Sequence, residues 1–280
     1  MFDTHNLIFS SCGIYLIKKM DIDKIICVDV LEGLKSLPDN SIDLIITSPP
    51  YNKGFYNKHK KWSKWDLCHT KSRVIDYGNF DDNMPPEEYE QWQRDVLTEC
   101  SRVIKPEGSI FYNHKDIPYE LNCVHPKWVY DFPLKQIIVW DRNSTLSVGK
   151  EYFYPVTEWI FWLKKDRQAR PYFDRHNAGF QKSVWRLGAD RTGNTHPAPF
   201  PIEIPENIIL SCSKEGDIVL DPFMGSGTTA LAAKKNNRHY LGFELNQEYV
   251  EMAEERVHQL VTEPDNQLIE QAGSSPSWGA

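Results

Sequence analysis

Short apolar runs alternate with stretches of helical period along most of this chain, and that alternation restricts the fold more than any other feature. Lys24–Val28 and Ile42–Thr47 read as buried parallel strands, with Asp29–Leu37 a short helix between them and Pro38-Asp39-Asn40 a turn. Pro85–Ile104 is the clearest helix. Two prolines suit its entry, Glu87, Glu88 and Glu90 favour the positive end of its dipole, and Lys105-Pro106-Glu107-Gly108 stops it. Further strands are expected at Ser109–Asn113, Lys135–Trp140, Thr157–Leu163, Asp217–Asp221 and Tyr240–Glu244, with helices at Thr228–Lys235 and Gln247–Val261. Seven strands interspersed with helices imply an α/β fold with one doubly wound, mostly parallel sheet, in a single domain over residues 21–261. Residues 1–20 have no place in the pattern and read as an N-terminal extension, with Met20 an alternative start. Residues 262–280 are polar and small and read as a disordered tail.

Composition excludes several classes. No run of about 18 apolar residues exists to span a membrane. The apolar run Leu7–Ile17 follows Asp3 and no Lys or Arg, so it does not read as a secretory signal. Six cysteines without any C-x-x-C spacing point to reduced thiols in a cytoplasmic protein, and His59, Cys68 and His69 lack a fourth ligand, so no metal is expected. The net charge of −7 hides an uneven distribution. Residues 52–76 carry seven basic side chains against two acidic ones. Residues 164–191 carry eight against three, and the remainder of the chain sums to −17. Aromatic residues are interleaved with both basic islands (Trp62 and Trp65 in the first, Tyr172, Phe173 and Trp185 in the second), a mixture suited to phosphates and bases.

Two segments carry chemistry. Asp221-Pro222-Phe223-Met224-Gly225-Ser226-Gly227-Thr228-Thr229 follows a strand and opens a helix; its glycines let backbone approach a ligand, and Glu244 ends the next strand, where an acid accepts hydrogen bonds from ribose hydroxyls. Thr47-Ser48-Pro49-Pro50-Tyr51 ends another strand. Its two prolines fix φ and remove two N–H donors, which presents rigid carbonyls between a hydroxyl and an aromatic ring. Such a loop suits an incoming amino group.

These motifs resemble those of the S-adenosylmethionine-dependent DNA amino-methyltransferases, over roughly Ile25 to Leu260. The catalytic motif precedes the cofactor motif, which resembles the permuted, beta order of that family, with the target-recognition region between them. The resemblance implies a Rossmann-like methyltransferase sheet, with Ser48, Pro49, Pro50 and Tyr51 as catalytic residues. It implies S-adenosylmethionine as cofactor, held by Asp29, Val30, Phe200, Pro201, Asp221, Phe223, Gly225, Gly227, Thr228 and Glu244. Double-stranded DNA is the implied partner, contacted by Lys58, Lys60, Lys61 and Lys64 of a basic loop (52–80) and by Arg186 and Arg191 of a short recognition region (163–195). A homodimer and a cognate restriction endonuclease acting on the same site are left open, and a bacterial, archaeal or phage origin is expected.

Family members with Ser at the first motif position mostly methylate N4 of cytosine, and those with Asp mostly N6 of adenine. Ser48 therefore points to N4 of a flipped cytosine within a short specific sequence, with N6 of adenine the alternative. No cysteine follows a proline, which disfavours methylation at cytosine C5. An inactive nucleic-acid-binding protein, or methylation of RNA or protein, are the readings from other classes.

Overall fold

In the computed structural model, the described residues are 6–10, 13–17, 21–58, 82–119, 122–143, 153, 155–188 and 201–262, with backbone alone throughout 6–10 and 13–17 and at the edges of some other ranges. In chain order the elements are β1 (Asn6–Ser10), β2 (Gly13–Ile17), β3 (Lys24–Cys27), α1 (Val30–Ser36), β4 (Ile42–Thr47), α2 (Lys53–Lys58), α3 (Pro86–Val103) and β5 (Ile104–His114). There follow β6 (Ile117–Tyr119), β7 (Asn122–Val124), a 3₁₀ turn (Lys127–Asp131), β8 (Leu134–Asp141), β9 (Thr157–Leu163) and β10 (Val184–Arg186). The last are α4 (Glu203–Cys212), β11 (Ile218–Asp221), α5 (Thr228–Lys235), β12 (His239–Glu244) and α6 (Gln247–Thr262).

The main sheet has eight strands in the order β10-β8-β9-β5-β4-β11-β12-β3. All pairings are parallel except those of β9, which runs against both β5 and β8. The seven expected strands are present. The eighth, β10, escapes notice in the sequence because it has three residues, of which Trp185 alone is buried. Residues 6–10 and 13–17, which showed no pattern, pair as antiparallel strands.

Each face of the sheet has its own helices and core. On one side α1 packs against α3, whose buried Tyr89, Gln93, Val96, Leu97, Cys100 and Val103 recur at helical spacing. On the other side α5 packs between α4 and α6. β5 begins earlier than expected, at Ile104, and tolerates Pro106 because its register against β4 shifts between Ile42 and Leu44. No helix among the described residues is long and apolar enough to cross a membrane.

The strand order reverses between β4 and β11. From β4 the chain steps to β5 on one side; from β11 it steps to β12 on the other. Open α/β sheets hold ligands outside the carboxyl ends of the strands at such a point. Both sequence motifs lie there.

Candidate active site

Thr47 ends β4 and Asp221 ends β11, and the Thr47 hydroxyl donates to Asp221 Oδ1 at 2.9 Å across the switch point. Asp221 also accepts from the Phe223 N–H at 3.0 Å and from the Thr229 hydroxyl at 2.7 Å. One carboxylate thus ties the two motif loops together. It is 2% exposed, and burial pushes its pKa up to about 6. Gly227 follows with φ of +81°, and a Cβ there would lie 2.7 Å from Ala253 Cβ, so both conformation and space require glycine.

The crevice beside this knot is open to solvent and offers about 600 Å³ of space. Asp29, Val30, Ser48, Pro50, Phe223, Gly225 and Glu244 line it, and Trp92 of α3 completes an aromatic wall with Phe223 at 5.6 Å between ring centroids. Asp29 caps α1, accepting from Leu31 N–H at 2.9 Å and Glu32 N–H at 3.3 Å. Glu244 accepts from Gly225 N–H through Oε2 and from Asn246 N–H through Oε1, both at 2.9 Å. Burial raises its pKa despite those bonds. Asp221, Gly227 and Thr228 stand behind the wall, and Pro201 is buried at the entry to α4.

Ser48 stands at the crevice, and its Oγ lies 2.8 Å from the Tyr51 hydroxyl. The Pro50 carbonyl accepts from Tyr89 at 2.7 Å, whereas no group among the described residues donates to the Pro49 carbonyl. The Tyr51 ring is 6% exposed. His114 packs on it at 4.7 Å, and the Lys53 and Lys115 ammonium groups lie 5.3 and 5.4 Å from its centroid. Burial lowers the His114 pKa to about 3, so its imidazole is neutral at ordinary pH.

A family model described as DNA methylase matches residues 42–255. The chain belongs to that family. It is 32% identical over 270 residues to the type II methyltransferase M.BglII from Bacillus subtilis, covering 84% of this chain and 69% of that protein. It is also 32% identical over 262 residues to M.HpaI from Haemophilus parainfluenzae, covering 84% and 74%. Among solved structures, PvuII DNA methyltransferase (cytosine-N4-specific) superposes with a TM-score of 0.64 at 20% identity, over 86% of this chain and 95% of that one. The M1.HpyAVI–SAM complex superposes with a TM-score of 0.57 at 22% identity, over 84% and 98%. These two likenesses establish the fold, and the family match establishes a DNA amino-methyltransferase of the N4/N6 class.

The methyltransferase surrounds its Ser48–Tyr51 turn with residues that motif reading misses. Asn113 at the end of β5 donates to Tyr51 Oη at 2.7 Å and to Glu158 Oε2 at 2.9 Å, and reaches Ser48 Oγ at 3.4 Å. Its own Oδ1 is buried with no partner among the described residues. Asn113, His114 and Lys115 follow the rule that ligands gather at carboxyl strand ends, so their position was discoverable. Glu158 was not, because it begins β9, whose reversal against β5 brings its first residues to the catalytic edge.

The basic islands divide. Lys53 enters the site, and Lys165 donates to the carbonyls of Ser101, Arg102 and Ile104 where α3 ends, at the opposite edge of the sheet. The recognition region expected from residue 163 therefore starts away from the crevice, and within it β10 returns the chain to the catalytic edge. There Arg186, 71% exposed, pairs with Asp141 at 3.0 Å, while Trp185 is core. Lys60, Lys61, Lys64, Arg191, Phe200, His59, Cys68 and His69 lie outside the described residues, as does the side chain of Lys58. So does the expected tail beyond residue 262.

Lys53 supplies a pH signature. Burial, then the neighbouring Lys115, lowers its pKa from 10.5 to about 7. The unfolded chain keeps that proton up to about 10.5, so between about 7 and 10.5 it binds more protons than the folded chain, and folding stability gains from Lys53 as pH rises. Lys53→Met should remove this gain. Urea midpoints at pH 7 and pH 9 check it; an unchanged pH dependence would contradict the assignment.

Proposed function

We propose that this methyltransferase modifies N4 of a cytosine flipped out of double-stranded DNA, within a short specific sequence. The carrying observation is the pair formed by Ser48 Oγ at the crevice and the Pro49 carbonyl, a neutral hydroxyl and an uncommitted acceptor on one rigid turn.

S-adenosylmethionine is the cofactor, and when bound it supplies an electrophilic sulfonium methyl group. The crevice residues fit it. Phe223, Trp92 and Val30 offer apolar walls for an adenine ring, and Glu244 keeps lone pairs for ribose hydroxyls after accepting one backbone N–H at each oxygen.

An exocyclic amino group is a poor nucleophile because its lone pair is conjugated with the ring. Acceptance of its two hydrogens by Ser48 Oγ and the Pro49 carbonyl pyramidalises the nitrogen and frees that pair. Holding the nitrogen in line with the methyl group then supplies most of the rate, together with stabilisation of positive charge developing on nitrogen. Extruding the base costs a few kcal/mol. A base that stacks on Tyr51 must displace the Lys53 ammonium from the ring. Arg186, exposed at the same edge, is placed to meet the duplex.

Labelled cofactor incubated with enzyme and duplex DNA, followed by mass spectrometry of nucleosides, should yield N4-methylcytosine. Label in N6-methyladenine would overturn the cytosine reading, and label in no nucleoside would overturn the function. The type II names of the relatives extend the proposal to a cognate endonuclease sharing the site, and the short recognition region to a homodimer. Resistance of the labelled DNA to cleavage and light scattering of the enzyme test these in the same preparations.

A further inference from the structure

Glu158 is 5% exposed behind the catalytic motif. Burying a carboxylate costs several kcal/mol unless countercharges and hydrogen bonds offset it. Both are present: Arg142 lies 3.0 Å and Lys115 3.8 Å from Oε1, while Oε2 accepts from Asn113 at 2.9 Å and from the Tyr51 hydroxyl at 3.2 Å. Burial pushes its pKa up, but Lys115 and Arg142 outweigh that, so the carboxyl stays below the usual range and ionised.

An ionised carboxylate only accepts, and an amide nitrogen only donates. The Tyr51 hydroxyl touches both, and it has one proton. That proton is drawn to Glu158 Oε2, where the bond is charge-assisted. Tyr51 Oη is left as an acceptor, from Asn113 Nδ2 and from Ser48, whose oxygen lies 2.8 Å away. The Ser48 proton then points towards Tyr51, and of the two Ser48 lone pairs one faces Asn113 Nδ2 at 3.4 Å while the other is left for a donor in the crevice. An amino group is such a donor.

Building on the amino-methylation reading, we infer that Glu158 is a positioning residue: acting through Tyr51, it turns the Ser48 proton away from the crevice and receives the proton the amino nitrogen loses. The step balances. Nitrogen's lone pair makes the new N–C bond, sulfur keeps the pair of the broken S–C bond, and one N–H bond returns its pair to nitrogen. That proton passes to Ser48 Oγ, the Ser48 proton to Tyr51 Oη and the Tyr51 proton to Glu158 Oε2. The positive charge on sulfur and the negative charge on Glu158 disappear together, and Glu158 afterwards releases its proton to solvent.

The test is single-turnover methylation of duplex DNA in H₂O and D₂O by the wild type, Tyr51→Phe, Glu158→Gln and the double variant, with cofactor affinity from calorimetry. Tyr51→Phe keeps the ring and removes one hydroxyl. It should slow the methylation step roughly 100-fold and abolish its solvent isotope effect, with cofactor Kd changed by less than about twofold. Adding Glu158→Gln to Tyr51→Phe should slow it by no more than about twofold further, because the relay is already cut. A Tyr51→Phe rate within about twofold of wild type, or single penalties that multiply in the double variant, would overturn the relay. Should circular dichroism show Glu158→Gln unfolded, Tyr51→Phe alone decides, and an isotope effect equal to wild type overturns the proposal. Wild type that labels no DNA base would instead refute the amino-methylation reading beneath it.

Discussion

Asp221→Ala is expected to leave little folded enzyme at neutral pH. The substitution removes an acceptor serving Thr47, Thr229 and the Phe223 N–H, and all three donors stay where they are because β4 and β11 are paired beside them. Each buried donor left without a partner costs roughly 1–3 kcal/mol. Three such costs amount to a large share of the ~5–15 kcal/mol that holds a typical domain folded. The urea midpoint and the cooperativity of unfolding measure the effect. Asp221→Asn separates size from acceptance, since one amide oxygen survives but the NH₂ group must face a hydroxyl or N–H donor; an intermediate midpoint is expected. Should Asp221→Ala unfold at the wild-type midpoint, Asp221 would not be the tie between the motif loops. The raised pKa fits this role: the carboxylate is buried among neutral donors without a cation paired to it.

Asp221 also shows how far sequence reading reaches. Its place in the strand–loop–helix motif was legible, and so was the company of Glu244, because both follow from strand periodicity and glycine chemistry within a short window. What the carboxylate does was not. A motif residue taken for a ligand contact lies behind the crevice wall, bonded to a threonine 174 positions earlier. That partner follows from strand order, and strand order between distant segments leaves no trace in local pattern. The same reason hid Glu158, whose relevance depends on β9 alone running backwards. Helix α4 went unread for a different reason. Its Pro205 resembles a breaker, yet it sits in the first turn, where no intrahelical bond is lost. The charge islands were legible as composition but not as function. Lysine stems reach far, and Lys53 and Lys165 spend their charge on a buried site and on helix-end carbonyls.

Glu244→Ala should act on binding where Asp221→Ala acts on folding. The Glu244 side chain is partly buried at the crevice and holds the Gly225 N–H, so its loss removes the expected acceptor for two ribose hydroxyls and frees the glycine loop at once. A hydrogen bond to a charged acceptor is worth about 1.5–3 kcal/mol. Losing two corresponds to a cofactor Kd raised roughly 140- to 20,000-fold. Stability should change little, since Gly225 can turn its N–H to water at the crevice. Calorimetric titration with S-adenosylmethionine reads the affinity, and thermal unfolding without cofactor reads the fold. Glu244→Gln sharpens the comparison. Its amide keeps one oxygen but brings a donor to where acceptance is needed, so its affinity should fall between wild type and Ala. An affinity loss under about threefold for Glu244→Ala would mean that the ribose is held elsewhere, with Asp29, just beyond the strand that pairs with Glu244, the next residue to replace. Loss of folding together with affinity would instead mean that Glu244, like Asp221, is chiefly a tie within the loop.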